Sequence, residues 1–134
     1  MKKFFAAIMI FALVTCSSFA RAAAVDIDLT KMSSTMVYST VLNMVNNPAA
    51  FAGKTMRMSG QYNTYNISVD DPKQKIHACI VRDALGCCSQ GLEFVLSNGN
   101  YPASEFTEIT VVGTIAVQKI FGKYVCYIKD AALE

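Results

Sequence analysis

One histidine and three cysteines fall close together in this chain, as His77-x-Cys79 followed by Cys87-Cys88. Residues two apart on a strand project from the same face. An imidazole and a thiol would then share one side of a strand, with two more thiols in the connection that follows it. One imidazole and three thiolates make a tetrahedral donor set for zinc, and the soft sulfurs also suit cuprous copper. The spacing differs from that of zinc fingers, and adjacent ligands must diverge before both can face one ion. Neighbouring cysteines are also poor partners for each other, because the bridge would close a small strained ring. Cys87 and Cys88 are therefore the principal candidate metal ligands, with Cys79 and His77 as auxiliaries.

The competing reading is crosslinking. Cys79, Cys87, Cys88 and Cys126 are an even set that allows two disulfides in three pairings. Each bridge would add about 2–4 kcal/mol by restricting the unfolded chain. A mixed arrangement keeps Cys79 and Cys126 structural and leaves Cys87 and Cys88 reactive. A thiol–disulfide exchange role has less behind it, because neither Cys-x-x-Cys nor a βαβ pattern is present.

Compartment decides between these readings, and the N-terminus bears on it. Lys2 and Lys3 precede an apolar run from Phe4 to Val14, and Ala20-Arg21-Ala22 supplies small residues for cleavage. This is the pattern of a signal peptide over residues 1–22, and the run is shorter than the roughly 20 residues a membrane span needs. Leu13-Val14-Thr15-Cys16 resembles a lipoprotein box in which Cys16 would be acylated, and a membrane association would follow only from that anchor. Thr15 stands where a smaller residue is usual, so the soluble form is preferred. The expected location is the periplasm or cell envelope, an oxidising setting for thiols.

Without residues 1–22 the chain has 9 basic and 10 acidic residues, a net charge of −1. No basic excess is left to neutralise phosphates, so a nucleic-acid partner is not expected. The remaining residues suffice for one domain.

The elements that must position the cysteines follow from periodicity. Residues 23–33 read as a leader. Val37, Val41, Met44 and Val45 form one apolar face of a helix from Ser34 to Asn46, with Ser34 as its cap. Pro48 opens a single turn that Gly53 ends. Lys54–Asn66 alternates with Met56, Met58 and Tyr62 on one side, and Gly60 marks a bend. Lys75–Arg82 is a second strand, Leu92–Leu96 a third and Glu108–Ile120 a fourth, bent at Gly113. Phe121-Gly122-Lys123 turns into a fifth strand, Tyr124–Lys129. The fold class expected is mainly β: a small five-stranded OB-like barrel with one N-terminal helix, spanning residues 34–134.

Three stretches carry a resemblance: Ser34-Thr35-Met36-Val37-Tyr38, the Gly53-Lys54 entry, and Asp83-Ala84-x-x-Cys87-Cys88-x-Gln90-Gly91-Leu92-Glu93-Phe94. Together they resemble a small exported bacterial OB-fold-like family of unassigned function. The Cys-Cys segment, over residues 75–96, is also similar to the outer domain of a membrane-protein family associated with zinc handling. The resemblance implies fold more than function.

Other chemistry is thin. There is no Gly-x-Ser-x-Gly elbow and no His-Glu-x-x-His, so a binding or accessory module is expected rather than an enzyme. Asp83 reads as the cap of the turn before the cysteines, and Glu93 as a solvent-facing residue. The methionines read as core, and Tyr62, Tyr65, Tyr101, Tyr124 and Tyr127 as candidates to line a ligand face. The favoured function is thiol-based binding of zinc or copper in the cell envelope. The alternative is a disulfide-stapled domain that binds another envelope protein without metal.

Overall fold

The computed structural model describes residues 24–71 and 73–134. The signal-peptide reading of residues 1–22 and the lipid-anchor reading of Cys16 lie outside them. The architecture is mainly β with a single α-helix, as the patterning indicates. Its elements are β1 (Ile27–Asp28), α1 (Ser34–Asn46), β2 (Thr55–Asn66), β3 (Lys75–Arg82), β4 (Ser89–Leu96), β5 (Glu108–Ile120) and β6 (Lys123–Leu133). No helix among the described residues is long and apolar enough to cross a membrane.

The strands form one sheet whose pairings run β2–β3–β4–β6–β5 and return to β2. The ring is barrel-like but partial, because β2 serves its two neighbours in succession. Thr55–Gln61 pairs with β5, and Gln61–Asn66 pairs with β3. Gly60 sits where the partner changes. A Cβ there would lie 2.5 Å from the Ile80 carbonyl oxygen and 2.9 Å from the Cys79 sulfur. Only glycine lets the strands approach that closely. Gly113 marks the corresponding bend in β5, where the register with β6 shifts between Val112 and Thr114. The β5–β6 connection needs positive φ at two successive residues, and Phe121 (47°) and Gly122 (81°) supply them, as the tightest hairpins require.

Part of the segment expected as a leader is tied into the sheet. Ile27 and Asp28 pair in parallel with Met56 and Arg57, adding a sixth strand. Leu29 then buries its side chain to 1 % exposure. A two-residue strand carries no readable period, which is why pattern alone misses it. The Arg57 guanidinium, donating to Glu134 and to Asp28, fastens this segment to the end of β6.

The helix cap lies one residue earlier than expected. Ser33, not Ser34, accepts a hydrogen bond from the Met36 N–H, satisfying a first-turn donor. Val41 and Met44 are buried in the common core with Met56, Met58, Tyr62, Leu92, Phe94, Val111, Ile115 and Ile128. Val37 packs at its margin, and Val45 is exposed. Met44, Met56 and Met58 are completely buried core residues, as their spacing indicates, where an adaptable thioether fills space.

Candidate functional site

β3 ends at Arg82 and β4 begins at Ser89, so the intervening loop must reverse the chain within a few residues. It does so around Asp83. The Gly86 N–H donates to the Asp83 carbonyl at 3.0 Å, and the Asp83 N–H donates to the Cys88 carbonyl at 3.0 Å. Gly86 adopts φ +71°, a value that costs glycine little. The Asp83 side chain turns into the same loop. Its Oδ1 accepts from the Cys88 N–H at 3.3 Å, and its Oδ2 accepts from the Cys87 thiol at 3.1 Å. Asp83 therefore caps the turn, as its position indicates, and also faces both sulfurs.

The two sulfurs stand 3.7 Å apart. A disulfide requires about 2.05 Å, so this is a pair of thiols in contact; Cys79, Cys87, Cys88 and Cys126 are all free. One ligand atom each from Asp83, Cys87 and Cys88 lies within 4.8 Å of the others. Among the described residues this is the one group of three or more potential metal ligands so arranged. Electrostatics favour the protonated form of the Cys87 thiol. The Cys87 thiol is pushed up to about 11, first by its hydrogen bond to the Asp83 carboxylate and then by Cys88. The same bond holds the Asp83 carboxyl below its ordinary value.

His77 and Cys79 do not join this group. They share a face of β3, as expected, but that face is the core side. Cys79 is completely buried opposite Leu92 and Tyr62, and burial raises its thiol to about 12. His77 lies six positions before Asp83, roughly 20 Å along an extended strand at about 3.3 Å per residue. Of the four expected donors the structure brings Cys87 and Cys88 together, beside Asp83, and places His77 and Cys79 apart from them. Cys126 is buried and donates its thiol to the Met44 carbonyl of α1 at 3.2 Å.

His77 belongs to a second arrangement at the start of β3. Tyr101 stacks on its ring, with centroids 3.5 Å apart and planes 12° from parallel. Tyr62 reaches the Nδ1 atom through its hydroxyl at 2.8 Å. Burial, then the Lys75 charge, lowers the imidazole pKa, and burial raises that of the Tyr62 phenol. The β4–β5 connection is strapped across this place. Phe106 N–H donates to the Tyr62 carbonyl at 2.7 Å, and Tyr62 N–H to the Thr107 carbonyl at 2.8 Å. Glu105 accepts from both the hydroxyl and the N–H of Thr64. A cleft of about 300 Å³ results, lined by Tyr62, Thr64, Lys75, His77, Tyr101, Pro102, Ala103 and Glu105.

The tyrosines therefore do not form one ligand face. Tyr62 and Tyr101 build the histidine cleft, whereas Tyr65 and Tyr124 are exposed elsewhere. Glu93 faces outward between the buried Leu92 and Phe94, and partial desolvation raises its carboxyl. Sequence reasoning missed Asp83 as a third donor to the thiol loop, although its position four residues before Cys87 was the available signal. It also missed Lys75, two positions before His77 on the same face of β3, and Glu105, which the strap across β2 brings to that face. No protein-family model matches this chain, and no curated protein matches it.

Proposed function

We propose that this protein is an exported cell-envelope module that binds a thiophilic cation, zinc in first place, through the Cys87 and Cys88 thiolates and the Asp83 carboxylate. The observation that carries the reading is the spacing of the donors. Two sulfurs each about 2.3 Å from a tetrahedral zinc stand about 3.8 Å apart, and Cys87 and Cys88 are already separated by 3.7 Å. The carboxylate favours zinc over cuprous copper, which prefers an all-sulfur set. A four-coordinate ion would take its last ligand from water or from a partner, since the loop is exposed. The basic, apolar and small-residue order of residues 1–22 supports export.

The test begins with protein isolated from periplasm without reductant, followed by free-thiol counting and metal analysis. Titration of the apoprotein with zinc, and with cobalt as a spectroscopic substitute, then measures stoichiometry. One ion per chain is expected, with Cys87 and Cys88 both shielded from alkylation. Four oxidised sulfurs and no metal uptake would remove the proposal in favour of the stapled interaction domain.

A further inference from the structure

We propose that the cleft around His77 is a second binding site, independent of the thiol loop, and that it takes a small zwitterion of the size of a free amino acid. The Lys75 ammonium and the His77 imidazole would meet its carboxylate, and the Glu105 carboxylate would meet its ammonium. Three observations carry this. First, opposite charges line one small cavity without cancelling each other: Lys75 and Glu105 both border it. Neither takes part in any ion pair among the described residues, where the pairs are Lys31–Asp28, Arg57–Asp28, Arg57–Glu134 and Lys129–Asp130. Second, the protein uses only part of the hydrogen-bonding capacity there. Thr64 occupies one Glu105 oxygen, Oε1, and Oε2 has no partner among the described residues. Tyr62 occupies one His77 nitrogen, Nδ1, and Nε2 has no hydrogen-bond partner among the described residues. Assigning the Tyr62 hydroxyl as donor puts the imidazole proton on Nε2, where it can be given to a carboxylate.

Third, the groups are held in place before anything arrives. Tyr101 stacks on the imidazole and is itself anchored by accepting from the Leu96 N–H at 3.2 Å. Glu105 is followed by Phe106, an exposed aromatic residue at φ +64°, a conformation that bulky residues rarely adopt and that gathers at functional positions. The volume of about 300 Å³ suits a small ligand, and a ligand carrying both charges satisfies the cleft where a simple anion or cation would satisfy half of it.

The chain contains one histidine, so its ring proton signals in an NMR spectrum report this cleft directly. Titration of the intact apoprotein with L-alanine is expected to move the His77 signals saturably. Acetate or methylammonium alone should bind at least roughly tenfold more weakly, the worth of one charge-assisted hydrogen bond. Glu105→Gln, which keeps an acceptor for Thr64, and Lys75→Gln should each weaken alanine by a similar factor. Cys88→Ser should leave alanine binding unchanged while weakening zinc. No saturable movement with alanine, or acetate binding as tightly as alanine, overturns the proposal.

Discussion

The Cys87 thiol donates to the Asp83 carboxylate across 3.1 Å, so the acid that would help hold a cation also suppresses the thiolate in its absence. A bound metal would reverse this balance by displacing the thiol protons and pairing with all three groups at once. Zinc affinity should therefore rise with pH, because each thiol must release its proton to coordinate. Competition against a chromogenic chelator at several pH values checks this, and a flat profile would exclude thiolate coordination.

Asp83→Asn removes the charge that restrains Cys87. Alkylation of Cys87 by iodoacetamide near pH 8 should become several-fold faster, since the thiolate is the nucleophile. Zinc binding should weaken in the same variant. A rate equal to that of the parent protein would show that the carboxylate does not govern the thiol.

Replacing Cys87 or Cys88 by serine should cost zinc affinity on the order of a hundredfold, one ligand's share of the roughly 10–16 kcal/mol of a four-ligand site. His77→Gln should leave it unchanged, because His77 stands at the other end of β3 and engages Tyr62 and Tyr101 instead. Calorimetric titration separates these outcomes. Loss of zinc in the His77 variant would restore the original donor set.

Gly60→Ala forces a methyl group to within 2.5 Å of the Ile80 carbonyl oxygen, which cannot move aside as a flexible side chain would. Destabilisation of about 1–3 kcal/mol is expected from such overpacking, measured by urea unfolding. The same substitution at Gly86 meets no atom within 4 Å, and its cost would come from the positive φ alone.

His77 also gives stability a pH dependence. Its pKa is lowered in the folded protein, so between that value and the ordinary one near 6.5 the unfolded chain binds more protons. Stability should rise as pH increases through this window, and His77→Gln should flatten that part of the profile. Urea midpoints at pH values from about 5 to 7.5 read the slope.

Much of this architecture is legible without coordinates, for reasons that can be assigned to residues. β3 from Lys75 to Arg82 and β5 from Glu108 to Ile120 have their expected bounds, because period-2 alternation and β-branched runs bounded by turn residues leave little choice. Met56, Met58 and Tyr62 point inward as their spacing requires. β6 runs on to Leu133, past the expected Lys129, because Val111 and Val112 of β5 hold Leu133 and Ala132 by backbone pairing. The site was half legible. Cys87-Cys88 announces itself by composition, but the shared face of His77 and Cys79 indicates common orientation without saying that the orientation is inward. Inward direction takes Cys79 out of reach of the loop, and distance along β3 does the same for His77.

That separation has a consequence of its own. With the sulfur loop at one pole of a stiff strand and the imidazole cleft at the other, a macromolecule seated over either pole leaves the opposite one open to solvent. If both proposed sites are real, what is carried at one tip would leave the far tip free for a different visitor, and mutation would abolish either errand while the other continued.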